Sequence, residues 1–478
     1  MNADAPRAHR IPHRDNRPLA FCLSLAAAVA ASAVPAAAQA PRECLLQYQS
    51  PTGNTRTTAL QLPSKRYNVF QGGGIIYHCE GQDNTIIADS SEYYGDQSVL
   101  YLIGHVHYRE TRAKVDSDRM TYYQLEDRLH AEGNVSAVLQ SGTTMNGPVV
   151  DYYRVTPARP LASVIATGHP TMRLIQRNPS GQPSEPVNVV ANQIVSQGEN
   201  LVFASGAVEI TRPDILAKGD SAFLDSQREF ARLMRSPTVD SKRDRKFTLS
   251  GGVIDLYSRN RVLQRVVATP SGHVLSDDLE LVADSVDLRM SNDKLERVMA
   301  WGKNRARAVS PDRDITADSI DAIMPGQRLR EVRAVRKAYA NTAPDTAHFV
   351  STERDWMRGE LIVAEFDSIP AGDTTSKPRP RRIVATGDAS SFYQLAGNNR
   401  VSRLPNINYV KGRVITVLFA DREVSTVEVV EEASGVYVEP TPPGAATATG
   451  NGATSPKRTA TPASPPKLPI GRIRKNEP

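Results

Sequence analysis

The sequence predicts an all-β protein, an elongated β-jelly-roll or solenoid of about ten stacked units of roughly thirty residues, ending in a disordered tail. Three observations carry that expectation. One short pattern recurs along the chain, apolar and polar side chains alternate inside each copy, and no sustained apolar stripe at helical spacing crosses residues 41–438.

The recurring pattern reads apolar-x-small-x-x-apolar-x-apolar, usually with Asp, Asn or Glu directly after the small residue. It centres on Ala88 (with Ile86, Asp89 and Tyr93), Ser117 (Val115, Asp118, Met120, Tyr122), Ala191 (Val189, Asn192, Ile194) and Gly219 (Ala217, Asp220, Ala222, Leu224). It returns at Ala283 (Leu281, Asp284, Val286, Leu288), Ala317 (Ile315, Asp318, Ile320, Ala322) and Gly359 (Met357, Glu360, Ile362, Ala364), with looser copies at Gly147, Gly251 and Gly412. The longer intervals hold insertions, such as 177–186 and 370–381, whose Pro, Gly, Ser and basic content marks exposed loops. A second half-motif precedes many copies, as in Leu129, Ala131, Gly133 and Val135, or Ile383, Ala385 and Gly387. Each unit thus supplies two short strands with Gly or Asp/Asn at the joins.

Alternation at period two means that one face is buried and the other is wet. In the first pattern the apolar positions lie two before the centre, at it, and then three and five after it, so the parity flips once. A regular strand would turn the second pair to solvent, so the flip requires a bulge or corner at the small residue. The acid that follows is suited to accept backbone hydrogen bonds there. On this reading Val115, Met120, Tyr122, Ile194, Leu224, Leu281, Val286, Leu288, Ile315 and Ile320 point inward. Glu92, Thr121, Asp151, Asp255, Asp287, Asp321 and Thr416 occupy the opposite face, which therefore belongs in water and not in the lipid-facing band of a membrane barrel. Only 228–234 and 329–335 resemble short helical stretches.

The ends differ from the body. Residues 1–40 carry a basic stretch, an apolar run from Leu19 to Val34 and a small-residue segment ending at Ala40, the layout of a cleaved secretory signal peptide. Three β-repeat segments follow, at 41–175, 186–340 and 341–438, the last with inserted loops. The tail 439–478 is Pro-, Ala- and Thr-rich and basic, a composition too poor in apolar surface to fold. The net charge of +6 sits wholly in the two ends, because residues 41–438 carry equal numbers of acidic and basic side chains. With a neutral body the expectation is no nucleic-acid partner, since phosphate binding needs a concentrated basic face and usually stacking aromatics.

Catalytic motifs are missing: there is no Gly-x-Ser-x-Gly elbow, no His-Glu-x-x-His and no phosphate loop, so the expectation is no enzyme and no cofactor. His105 and His107 alternate onto one strand face without a third metal ligand, and the repeated acids Asp89, Asp118, Asp284 and Asp318 each stand alone, as corner residues do. No metal site is expected. Cys44 and Cys79 remain after cleavage, and export would allow them to pair or leave them as two buried thiols.

The run from Gly104-His-Val-His-Tyr through Asp118-Arg-Met-Thr-Tyr-Tyr to Arg128-Leu-His-Ala-Glu-Gly-Asn-Val135 resembles the organic-solvent-tolerance (OstA/LptA-like) repeat of periplasmic lipopolysaccharide-transport proteins, and it recurs loosely through most of 70–420. The resemblance implies a β-jelly-roll whose apolar interior holds acyl chains of lipopolysaccharide or a related glycolipid. It also implies end-to-end strand pairing with other OstA-like domains, a periplasmic location that extends to association with the outer membrane, and a bridging role in outer-membrane assembly. From the residues alone, the same apolar set would line an open slot or close into a dry core. The alternative is a structural or polysaccharide-binding β-helix or spacer of the cell envelope, built from parallel coils.

Overall fold

A computed structural model describes residues 44–440, except 52, 178–179, 243–245, 293, 345, 368–377, 397–403 and 421–422. The signal-peptide expectation for 1–40, most of the tail and much of the 370–381 insertion lie outside the described residues. Among those described, no helix is long and apolar enough to cross a membrane.

The fold is all-β. Among the described residues, strands run from Leu46–Gln49 to Ser434–Val438, pair antiparallel, and are interrupted by two single-turn 3-10 segments. The stretches with a helical look are strands too: Phe230–Met234 and Glu331–Thr342 occupy them, because a short apolar run takes its structure from its neighbours in the sheet.

Bent strands explain the sequence pattern. Val99–Arg109, Ala113–Tyr123 and Arg128–Leu139 are successive strands. Ile103 pairs with Arg119 and Val106 with Ser117, so Gly104 and His105 on one strand oppose the single residue Asp118 on the next. This two-against-one bulge bends both strands. The strand that supplies one residue flips its side-chain parity, and the strand that supplies two keeps it. That difference is why Val115 and Ser117 give way to Met120 and Tyr122, whereas Leu129, Ala131 and Val135 alternate unbroken; all seven are buried.

The bends align, so each long strand has one arm in a front leaf and the other in a back leaf. The front leaf holds arms such as 106–109, 113–116 and 135–139; the back leaf holds 99–103, 119–123 and 128–132. Elsewhere the bend splits the strand outright, as between Glu280–Ala283 in front and Ser285–Ser291 behind. Apolar rows from both leaves meet in one core that runs from Ile75 to Val417.

The corner needs both of its sequence marks. Gly133 has φ +78°, and a Cβ there would lie 2.5 Å from the Asp118 Oδ2, so glycine is required twice over. The Asp118 carboxylate accepts a bond from Asn134 Nδ2 (2.8 Å), Asp89 is bonded to His105 Nδ1 (2.7 Å), and Asp284 accepts from the Asn304 backbone N–H and side chain (2.9 and 2.8 Å). These acids tie one bend to the next. His107 belongs to a different contact, with Asp116 at 2.6 Å, so the two histidines are held apart by separate carboxylates. Among the described residues no group of three or more His, Cys, Asp or Glu is placed to hold a metal.

The outer face of the back leaf carries cross-strand ion pairs: Arg232 with Asp255 (2.7 Å), Arg265 with Asp287 (3.0 Å) and Arg297 with Asp321 (2.6 Å). Asp287 departs from the wet-face expectation. It is 1 % exposed because Arg265 and Arg289 close over it.

Candidate functional site

Two leaves joined at their bends close on one side and are held together on the other only by what their turns supply. Between residues 82 and 154 a polar lock spans that second side. Arg154 donates to Glu110 (3.3 Å), Asp127 (3.2 Å), Gln82 (2.8 Å) and the Tyr122 hydroxyl (3.4 Å). The Tyr108 and Tyr152 hydroxyls donate to the same Glu110 carboxylate. Burial pushes the Tyr122 hydroxyl up to about 12 and those of Tyr108 and Tyr152 higher still, so all three stay protonated donors at neutral pH. A second lock follows, where Arg212 bonds Asp214 (3.0 Å), Ser258 (3.4 Å) and the Arg261 carbonyl (3.2 Å).

The interior behind the first lock is filled. The fully buried tyrosines and methionines, Tyr108, Tyr122, Tyr152, Met120, Met145 and Met172, fall in this first part, and Leu233, Leu249 and Ile254 are as deeply buried farther on. Farther along, the inward rows thin out. The row Ile320, Ala334, Ile362, Ala385, Ile415 crosses the back leaf with alanine at every second place, and Ile315, Ala340, Met357, Ser391, Val410 crosses the front leaf. Each alanine lies between larger neighbours on its row and fills less of the interior than they do. A cavity of about 850 Å³ opens between the leaves, lined from the back by Val332, Ile362, Ala364, Phe366, Ile383 and Val417, and from the front by Ile315, Ala340, Met357 and Ser391, with Phe349 beside them. That volume is in the range of small-molecule sites.

Polar groups gather at its front rim. Asp355 accepts from the Gln394 backbone N–H (2.9 Å) and side-chain amide (3.1 Å), and burial nevertheless holds its carboxyl above the usual carboxylate range. Tyr393, pushed up to about 12 by burial, accepts from Asn408 Nδ2 (2.6 Å). Arg313 and Arg379 also border the cavity. The site therefore pairs an apolar body with a polar, ionisable edge.

A comparison with protein-family models and with curated proteins finds no match. The functional reading therefore rests on this geometry.

Of the ten side chains expected to face a lipid, Ile315 lines this cavity and Leu224 a second one of only about 50 Å³. Val115, Met120, Tyr122, Ile194, Leu281, Val286, Leu288 and Ile320 are buried in the core and line neither. The inward face runs the length of the fold, but the space is local. Sequence periodicity reports only which way a side chain points. The missed signal is size at one motif position: Tyr122 and Tyr152 stand before residue 175 where Ala322 and Ala364 stand later, while Ala131 and Ala137 already match Ala334 and Ala340. Cys44 and Cys79 are joined in a disulfide that ties the edge strand Leu46–Gln49 to Tyr67–Cys79.

Proposed function

We propose that the protein is a non-enzymatic lipid carrier of the cell envelope, an OstA-like β-jelly-roll of about ten units that binds acyl chains of lipopolysaccharide or a related glycolipid and passes them towards the outer membrane. The observation that carries this reading is the apolar cavity of about 850 Å³ in the last part of the fold, open where the earlier parts are packed and locked. Each methylene moved from water into it contributes about 0.8 kcal/mol, so a long chain is held without covalent chemistry and released without breaking a bond.

The sheet ends support a bridging role. Leu46–Gln49 and Arg56–Gln61 each pair with Tyr67–Cys79, and Glu423–Val430 and Ser434–Val438 each pair with Asn406–Ala420, as their one partner among the described residues. The last edge exposes Val436, Tyr437 and Val438. Such an edge extends a neighbouring sheet by main-chain hydrogen bonds, so like domains join end to end. The parallel β-helix alternative needs parallel pairs, whereas the ladder is antiparallel.

Protein purified from an envelope fraction is expected to carry about one equivalent of an acyl-bearing amphiphile, read by mass spectrometry of an organic extract. Ala364→Phe, which fills the cavity from the back leaf, should remove it. A folded wild-type protein that yields no lipid would contradict the proposal.

A further inference from the structure

Ser391 has no counterpart elsewhere in the described fold. Its side chain is 1 % exposed, it borders the cavity, and its Oγ is the buried side-chain oxygen without a hydrogen-bond partner among the described residues. Its cross-strand neighbours on the inward row, Met357 and Val410, are apolar and offer it nothing. A buried hydroxyl left unpaired is costly, and most such groups in native proteins are satisfied by something. A trapped water is a poor partner, because water needs two or more polar contacts of its own.

We propose that Ser391 is the specificity residue of the cavity, selecting acyl chains that carry an oxygen substituent, a hydroxyl or ester, part-way along the chain. The inference rests on the lipid-carrier reading and adds to it the class of chain. Ser391 lies two residues inward from Tyr393 on the same strand, which places its hydroxyl about 7 Å below the polar rim. A headgroup engaged at the rim near Asp355 and Gln394 therefore sends a chain past Ser391, where an ester or hydroxyl oxygen accepts from the serine hydroxyl and a chain hydroxyl can also donate to it. A plain hydrocarbon chain leaves the hydroxyl unpaired. The next residue, Ser390, is already occupied: it accepts from Arg358 Nε at 2.6 Å.

The test uses the full mature chain and a fluorescent fatty acid displaced by tetradecanoic acid or by its monohydroxylated isomers, with the hydroxyl stepped along the chain. At least one isomer should bind roughly five- to tenfold tighter than the plain acid, the value of one neutral hydrogen bond. Ser391→Ala should erase that preference, leave plain-acid affinity unchanged or raised, and leave thermal stability no lower than wild type. Ser390→Ala should keep the preference. Equal binding of plain and hydroxylated acids by the wild type, or a preference that survives in Ser391→Ala, overturns the specificity role and leaves the carrier reading intact. Failure of every acid to bind the folded protein overturns both.

Discussion

Replacing Arg154 with Met should destabilise the protein by about 3–5 kcal/mol, the cost of leaving a buried charge without its partner. The Glu110 side chain is 8 % exposed and the Arg154 side chain 10 %, so removing the guanidinium strands a carboxylate that water cannot reach. The damage is not confined to one pair. Arg154 also holds Gln82 and Asp127, from turns of the two leaves, and the strand residue Tyr122, so its loss frees the leaves to part along that side. Denaturant unfolding with hydrogen exchange resolved along the chain is the appropriate measurement, since long stacked folds need not unfold in one step. Protection should fall first in 82–154. The double variant Glu110→Leu with Arg154→Met should recover much of the loss, because an apolar pair needs no ionic partner. A loss below about 1 kcal/mol would place the pair in the class of solvent-screened surface bridges and contradict the lock.

Removing the disulfide, by Cys44→Ser with Cys79→Ser, should cost about 3–4 kcal/mol in the chain-entropy account for a loop of 35 residues. The bond anchors an edge strand whose side chains are largely exposed, so little else holds Leu46–Gln49 in place. Cys79 itself is buried, with its backbone N–H donating to Asn84 Oδ1 at 2.9 Å, and serine would put a hydroxyl where the sulfur packs. Exchange protection should be lost over 46–49 while the lock around Arg154 persists. Unchanged unfolding in the double variant, or recovery of free thiols from wild-type protein purified without reductant, would contradict the bridge.

Much of the fold was legible in the sequence because it is written in periodicity. The parity flip around Ser117, the lone acid after it and the glycine of the facing strand are three residues of one corner, and each left its mark on the chain. The locks were not legible, since Glu110 and Arg154 are 44 residues apart and lie in turns where no pattern constrains them. Asp287 misled for a related reason: alternation puts it on the outer face correctly, but its burial comes from the long side chains of Arg265 on the neighbouring strand and Arg289 two residues along its own. The cavity was half legible. Ile315 shows that direction was read rightly, whereas the place where the interior opens depends on summed side-chain volume across two leaves. Alanines at 334, 340 and 364 line that opening, and the strand register decides which larger side chains flank them, Ile320 and Ile362 beside Ala334 and Ile315 and Met357 beside Ala340.

The central claim, that acyl chains enter the cavity between the leaves, is tested most directly by photo-crosslinking in cells producing the protein. A benzophenone side chain at Ile362 or Phe366 sits inside the cavity, one at Val363 points out from the same strand, and one at Leu288 lies in the packed core. The account predicts lipid capture from Ile362 and Phe366 and none from Val363 or Leu288. Equal capture from Val363, or no capture from either cavity position in folded protein, would contradict it.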